Sequence, residues 1–276
     1  MVPYFQSSTA LALPVKIATW NLNSIRARLP RVLAALERHE PDLLCVQETK
    51  SMNDKFPYEE LAEVGYVASA HGQKTYNGVA LLLRSGEGQL ENVRNGFEGN
   101  PIPEQARVIS GVFNGIQIVN AYVVNGKEVG DPKFEMKLAW LDALDVWLKK
   151  EFDPTKPFLI CGDFNITPDD RDVWDVEKWQ GRIFCTDRER AFVQGLHDWG
   201  LQDLQRKFSD EAGLFTWWDY RGGSHPRNLG LRIDLMLASK TLASNCVAFE
   251  VDREERRKST GEGAPSDHAP VIAQFS

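Results

Sequence analysis

Five apolar runs in this sequence end abruptly in side chains capable of chemistry. KIATW at 16–20 runs into Asn21, with Asn23 two residues on, and DLLCVQ at 42–47 runs into Glu48. PFLICG at 157–162 runs into Asp163 and Asn165, LGLRI at 229–233 into Asp234, and Asp267 and His268 stand just before the last apolar run. Residues two apart on an extended chain point the same way, so Asn21 with Asn23, and Asp163 with Asn165, share a face. Taken singly, each has a plain reading: a strand-end Asp or Asn is a turn or cap residue, a Glu after a strand is solvated, and a lone His is structural. As a set they read differently. Several carboxylates buried together are very costly without a cation or a proton-sharing partner. Acids and amides with one His, and no cluster of Cys and His, make an oxygen-ligand site that suits Mg2+ or Mn2+ better than zinc. Such a set suits phosphodiester hydrolysis, with a metal drawing charge off a phosphoryl oxygen, a carboxylate deprotonating water and neutral donors holding the other oxygens. No P-loop, GxSxG elbow or HExxH occurs.

Strands and helices must position these groups. Strand-like runs lie at 16–20, 42–47, 78–83, 107–113, 116–123, 157–161, 232–238, 246–251 and 270–275, each bounded by Gly, Pro, Asn or Asp. Asn114-Gly115 joins two of them and predicts a tight antiparallel hairpin. Helical spacing appears in Leu29, Val32, Leu33 and Leu36, with Pro30 expected near the first turn. It appears again in Phe134, Leu138, Leu141, Leu144 and Leu148 with Trp140 and Trp147 alongside, and in Phe192, Leu196 and Trp199 before the stop at Gly200. Interleaved strands and helices together with a hairpin fit a purely parallel sheet poorly. They predict a four-layer α/β/β/α sandwich of two mixed, mainly antiparallel sheets flanked by helices.

The chain has 276 residues and a formal charge of −7. That length leaves one or two domains open, and without a linker or repeat one domain over 15–276 is expected. No apolar run is long enough to span a membrane. Residues 1–14 lack the basic start of a secretory signal and read as a flexible tail. Cys45, Cys161, Cys185 and Cys246 are far apart and expected to be reduced, as in the cytoplasm. Acidic charge argues against a nucleic-acid partner on balance, although a local basic face can coexist with it.

Longer stretches carry a resemblance. W-N-L-N-S-I-R at 20–26, D-L-L-C-V-Q-E-T-K at 42–50, N-A-Y-V-V-N-G at 120–126 and G-D-F-N-I at 162–166 come first. W-G-L-Q-D at 199–203, T-W-W-D-Y-R at 216–221, N-L-G-L-R-I-D at 228–234 and P-S-D-H-A-P-V at 265–271 follow. In order and spacing the sequence resembles the exonuclease III family of apurinic/apyrimidinic (AP) endonucleases, within the endonuclease/exonuclease/phosphatase superfamily. The resemblance implies a Mg2+-dependent DNA repair phosphodiesterase that incises 5′ to abasic sites and carries 3′–5′ exonuclease and 3′-end-trimming activity. It implies a metal set of Asn21, Glu48, Asp163, Asn165, Asp267 and His268, with Glu48 the principal ligand. Among catalytic residues it implies Asp163 on the attacking water and Asn165 on the scissile phosphate. His268 would sit on a phosphate oxygen, oriented by Asp234, with Tyr122 on the phosphate or leaving oxygen. It makes Trp217, with Leu231 and Ile233, the lining of a pocket for an extruded abasic sugar. Asn23, Asn125 and Arg221 are further substrate contacts. The implied partner is double-stranded DNA, abasic or 3′-blocked, acted on by a cytoplasmic, nucleoid-associated monomer.

Three polar segments are rich in Arg and aromatics: Arg26, Arg28 and Arg31; residues 171–190; and residues 217–232. Each reads as a DNA-facing surface or as a loop folded on the body, with even weight for the second. Val124 replaces a proline common in relatives, and Ala264 a lysine. A phosphoinositide or sphingolipid phosphatase would share the acids and His, but the segments at 216–221 and 228–234 favour DNA repair. A non-catalytic DNA-binding protein would be expected to lack some of Glu48, Asp163, Asn165, Asp234 and His268.

Overall fold

The computed structural model describes residues 14–276; residues 1–13, which make up nearly all of the expected tail, lie outside the described residues. Apolar runs form strands because alternate side chains are buried on opposite faces of a sheet, one inward and one beneath helices. In chain order the strands are β1 (Val15–Asn21), β2 (Leu43–Gln47), β3 (Tyr66–His71), β4 (Val79–Arg84), β5 (Leu90–Asn95) and β6 (Val108–Phe113). They continue as β7 (Ile116–Tyr122), β8 (Phe158–Asp163), β9 (Leu201–Asp203), β10 (Asp234–Ser239), β11 (Cys246–Val251) and β12 (Val271–Phe275). The helices are α1 (Ile25–His39), α2 (Tyr58–Glu63), α3 (Pro132–Glu151), α4 (Val176–Trp179), α5 (Asp187–Trp199), α6 (Leu204–Phe208) and α7 (Lys240–Ser244).

Two six-stranded sheets result, ordered β11-β12-β1-β2-β4-β3 and β5-β6-β7-β8-β10-β9. Each has one parallel pair, β1 with β2 and β7 with β8, among antiparallel neighbours. Ile17, Cys45, Leu81 and Val271 of the first sheet share a buried core with Ile109, Ile118, Cys161 and Met236 of the second. The outer face of the first sheet is covered by Ile25, Val32, Leu36 and Leu61 of α1 and α2. That of the second is covered by Trp140, Leu144, Leu148, Phe192 and Leu196 of α3 and α5. The four-layer expectation is therefore met.

A buried polar tie fixes one sheet on the other. Gln47 Nε2 donates to Asn120 Oδ1 (2.7 Å) and Thr19 Oγ1 (2.8 Å), and Asn120 Nδ2 donates to the carbonyls of Val46 and Ala80 (3.0 Å each). Buried amides demand such partners, so sliding one sheet past the other would break the three bonds made by Asn120 together.

The Asn114-Gly115 hairpin forms as expected, with Phe113 opposite Ile116 and both turn residues at positive φ. Pro30 does not lie in the first turn. α1 begins at Ile25, capped by the Ser24 hydroxyl, which places Pro30 inside the helix without an N–H for the carbonyl of Arg26. Strands β3, β5 and β9 were not anticipated, because β5 is mostly exposed and polar and β9 is only three residues long. Among the described residues no helix is long and apolar enough to cross a membrane. All four cysteines are buried and free.

Candidate active site

Strand register brings the polar strand ends to one rim. Parallel pairing sets Asn21 opposite Gln47, so Asn21 and Glu48 leave β1 and β2 together. Parallel β7 and β8 set Tyr122 opposite Asp163, and antiparallel β10 sets its first residue, Asp234, opposite Asp163 as well. Because β12 runs antiparallel to β1, with Val271 opposite Thr19, the segment carrying Asp267 and His268 meets the end of β1. Trp20 Nε1 clamps it there by donating to the His268 carbonyl (3.0 Å).

The backbone turns sharply at this rim. Asn23, Glu48, Lys50 and Asn165 adopt left-handed φ values of 48–50°. For Glu48 and Lys50, which lack the short side chains suited to this conformation, the strain is of order 1–3 kcal/mol each. Gly162 has φ of 134°, and a Cβ there would fall 2.1 Å from the Ala121 carbonyl oxygen, so β7 and β8 approach as they do only because this residue is glycine.

Hydrogen bonds join the side chains around Asn21, and a second bonded pair, His268 with Asp234, approaches them at Asp163. Asn21 Nδ2 donates to both Glu48 Oε1 (3.0 Å) and Asp163 Oδ2 (2.8 Å), and the Tyr122 hydroxyl donates to Glu48 Oε1 (2.9 Å). Asp163 Oδ1 accepts from the Asn165 backbone N–H (2.9 Å), and Asp163 Oδ2 accepts from Asn165 Nδ2 (3.3 Å). His268 Nδ1 lies 2.9 and 3.0 Å from the two Asp234 oxygens, and its Nε2 lies 3.8 Å from Asp163 Oδ2. Asp267 accepts from Asn23 Nδ2 and Trp217 Nε1, each at 3.0 Å.

Charge in this network is strongly perturbed. Burial, with the repulsion of Asp234 and Glu48, lifts the Asp163 carboxyl to about 7 against the pull of His268. Burial alone would lower His268, but Asp234 and Asp163 overcome it and raise the imidazole to about 10. Burial likewise works against ionised Glu48 and Asp267. Lys50 and Asn21 outweigh it at Glu48, and His268 with Asn23 and Trp217 outweighs it at Asp267, so both stay below the usual carboxylate range. Burial and the Glu48 charge push the Tyr122 phenol well up. At neutral pH the arrangement offers a neutral phenol donor, a protonated His, and a carboxyl poised to exchange a proton.

Asn21, Asn23, Glu48, Tyr122, Asp163, Asn165, Trp217, Asp234, Asp267 and His268 thus converge. Asn125 joins from the rim, donating from Nδ2 to Asn165 Oδ1 (3.2 Å). Among the described residues, Asp163, Asp234 and His268 form a group compact enough to hold a metal ion, their ligand atoms lying within 4.8 Å of one another. The sequence reading put Glu48 and Asp267 in the metal set and gave Asp234 an orienting task instead; this compact group contains neither Glu48 nor Asp267. Both Asp234 oxygens face His268 Nδ1, which leaves only Nε2 of that ring turned to Asp163. Leu231 and Ile233 are fully buried in a cluster with Phe134, Val173 and Phe184, so they lie beneath Trp217 and not on an open wall. Arg221 stands exposed on the loop after Trp217, apart from the network.

Several expected DNA-facing cations are engaged elsewhere. Arg232 is buried against Asp172 and Asp203, Arg171 pairs with Asp169 and Asp210, Arg190 with Asp170, and Arg188 with Asp142. Trp174 and Trp179 pack on the cluster around Phe184. The folded-back reading of 171–190 therefore holds for these residues.

Other neighbours escaped the sequence reading. Lys50 Nζ sits 2.8 Å from Glu48 Oε2 and donates to Asn23 Oδ1 (2.6 Å). Arg107 lies 4.7 Å from the centre of the Tyr122 ring. Lys137 of α3 donates to the Asn165 carbonyl (2.7 Å) and pairs with Glu189 of α5, both side chains fully buried. For Lys50 the available signal was its place two residues after Glu48 in Q-E-T-K. Arg107 and Lys137 gave none, since their partners come from distant strands and helices.

Residues 18–268 match the model of the Endonuclease/Exonuclease/phosphatase family, and the chain belongs to that family. Metal dependence is typical of its nucleases. The chain is 35% identical over 273 residues to exodeoxyribonuclease III of Haemophilus influenzae, covering 95% of this chain and 100% of that one. A 3′ phosphatase from Neisseria, solved with a product DNA hairpin, is 41% identical with a TM-score of 0.89 over 95% of this chain and 99% of that one. An AP endonuclease from Archaeoglobus fulgidus is 35% identical with a TM-score of 0.88 over 95% and 99%.

Proposed function

We propose that this protein is a metal-dependent DNA repair phosphodiesterase, one catalytic unit over residues 15–276. It incises duplex DNA 5′ to abasic sites and also removes nucleotides and blocking groups from 3′ ends. The observation that carries the reading is the convergence of Glu48, Asp163, Asn165, Asp234 and His268 on one rim beside Trp217. Full-length likeness to DNA nucleases supports it.

Mg2+ is the proposed ion, with Mn2+ as substitute, because the ionisable groups at the site are carboxylates with a single imidazole and no thiolate. Glu48 would hold it, with Asp267 and Asp163 as further carboxylates and His268 beside them, while Asn21 and Asn165 turn their amide nitrogens to Glu48 and Asp163 and orient those carboxylates. The ion supplies charge withdrawal from a phosphoryl oxygen. Protonated His268, fixed by Asp234, donates from Nε2 to a phosphate oxygen as negative charge builds. Asp163 accepts the proton of the attacking water, which its raised affinity suits near neutral pH. Asn165 donates to the scissile phosphate, and the Tyr122 hydroxyl donates toward the departing oxygen. Trp217 with the residues beneath it selects a sugar that lacks its base, since a missing base removes the stacking cost of extrusion. Asn23, Asn125 and Arg221 contact the flanking strand. The protein acts as a monomer in the cytoplasm, at the nucleoid in a bacterium.

The test is an end-labelled duplex with one abasic analogue, incubated with and without Mg2+. A single Mg2+-dependent cut 5′ to the analogue is expected. No cleavage, alongside hydrolysis of soluble inositol phosphates, would overturn the reading.

A further inference from the structure

Beside the acidic centre lies a second concave surface. The loop after Trp218 and the segment 253–265 enclose a cleft of about 830 Å3, lined in part by Tyr220, His225, Arg253, Arg256, Arg257 and Lys258. Tyr220 connects it to the centre. Its hydroxyl accepts from Arg28 Nη2 (2.8 Å), donates to the Pro265 carbonyl (2.9 Å), and lies 3.5 Å from Asn23 Nδ2, which itself donates to Asp267. Buried Trp218 carries the Arg253 guanidinium over its ring at 5.2 Å and the His225 ring edge-on at 4.9 Å, and Arg256 lies 5.2 Å from the Tyr220 ring.

Arg253 and Arg256 are anchored through Nη2, which donates to Asn228 Oδ1 (2.9 Å) and to the Trp218 carbonyl (3.0 Å), so the two guanidinium groups are held in place along the cleft. The lining carries four cationic side chains against two carboxylates; Arg257 pairs with Glu254 at 2.8 Å, which leaves Arg253, Arg256 and Lys258 against Asp219. Burial first, and then the neighbouring Arg256, Arg253 and Arg257, push the His225 imidazole down to about 4, so it adds no charge to the lining at neutral pH. The segment is also held in shape: buried Arg31 donates to the carbonyls of Arg257 (3.0 Å), Lys258 (3.1 Å) and Gly261 (3.1 Å).

We propose that this cleft binds a phosphate of the substrate, a backbone phosphodiester of the DNA strand that leaves the acidic centre past Tyr220. The inference rests on the DNA reading above. A free phosphate has the same acceptor chemistry, and the experiment separates the two.

Binding of the full chain to an abasic duplex is followed by fluorescence anisotropy in EDTA, which prevents turnover, across a range of salt. Arg253→Gln is expected to weaken binding severalfold and to make the log–log salt slope shallower by about 1, the effect of one lost phosphate contact. The double variant Arg257→Gln, Lys258→Gln changes exposed side chains only, so it tests the same cleft without endangering the fold. Glu254→Gln, which removes a rim carboxylate, is expected to tighten binding. Competition by inorganic phosphate is measured at fixed ionic strength. Weaker duplex binding with a shallower slope in the exposed double variant supports the proposal. Duplex affinity and slope equal to wild type overturn it, including when only phosphate competition changes. Failure of the DNA reading shows separately, as absent duplex binding or incision by the wild-type protein.

Discussion

At the residue scale, His268 acts through two different neighbours. Asp234 takes Nδ1 and sets the ring orientation, while Nε2 faces Asp163 across 3.8 Å. Replacing His268 with Ala is expected to lower kcat about 100- to 1000-fold, the usual effect of losing one donor to a developing charge, with a much smaller change in duplex affinity. Loss of folding in circular dichroism would instead make His268 a purely structural residue. Glu48→Ala should lower incision at low Mg2+ and recover in part with excess Mg2+ or Mn2+; full activity in EDTA would remove Glu48 from the metal site. The pH dependence has a defined sign. Folded His268 titrates at about 10, above its ordinary value of 6.5, so its charge stabilises the fold fully below 6.5 and ceases to as pH rises through 10. Asp163, raised to about 7 from 3.8, also favours the fold at low pH, and this is lost as pH rises through 7. Thermal melts of metal-free wild type and His268→Gln should therefore diverge most at pH 6 and converge near pH 10; a constant gap would refute the assignment. These residue types were legible because each flanks an apolar run. Lys50 was not singled out, and Tyr220 only as one aromatic of the segment 217–232, because what makes them matter is a partner brought close by folding.

At the element scale, α3 and α5 do more than cover the second sheet. Lys137 and Glu189 form a fully buried ion pair between them, and Lys137 also holds the Asn165 carbonyl, so helix packing reaches the active-site loop. Removing one partner strands the other charge in the interior. Lys137→Ala is expected to cost about 3–5 kcal/mol of stability, read from urea unfolding. A cost below 1 kcal/mol would mean that Glu189 finds water or protonates easily. Strands flanked by turn residues were readable, as were the helix stripes through Val32, Leu141 and Leu196, because periods of 2 and 3.6 are local properties. The solvent-facing β5 was not, since it has little apolar pattern to read, and Lys137 lay on a helix face that composition alone marks as polar.

At the scale of the whole molecule, an excess of seven negative charges coexists with a basic surface along one side of the rim. Several arginines are paired with acids, so fewer cations stand open than the sequence suggested. Duplex affinity is expected to fall steeply with salt, at least tenfold between 50 and 200 mM if about three or more phosphates are contacted; a flat titration would contradict this. What the sequence alone determined was the sandwich class, the hairpin, and the acids, amides and His that end its apolar runs, since these follow from short-range periodicity and residue chemistry. Only the tertiary structure decided that Asp234 is engaged with His268, that Arg232 and Arg190 are paired with acids, and that Leu231 lies beneath Trp217. Each depends on which charges and surfaces meet across strands far apart in the chain, and Coulomb attraction and burial act on distance in space, not on distance in sequence.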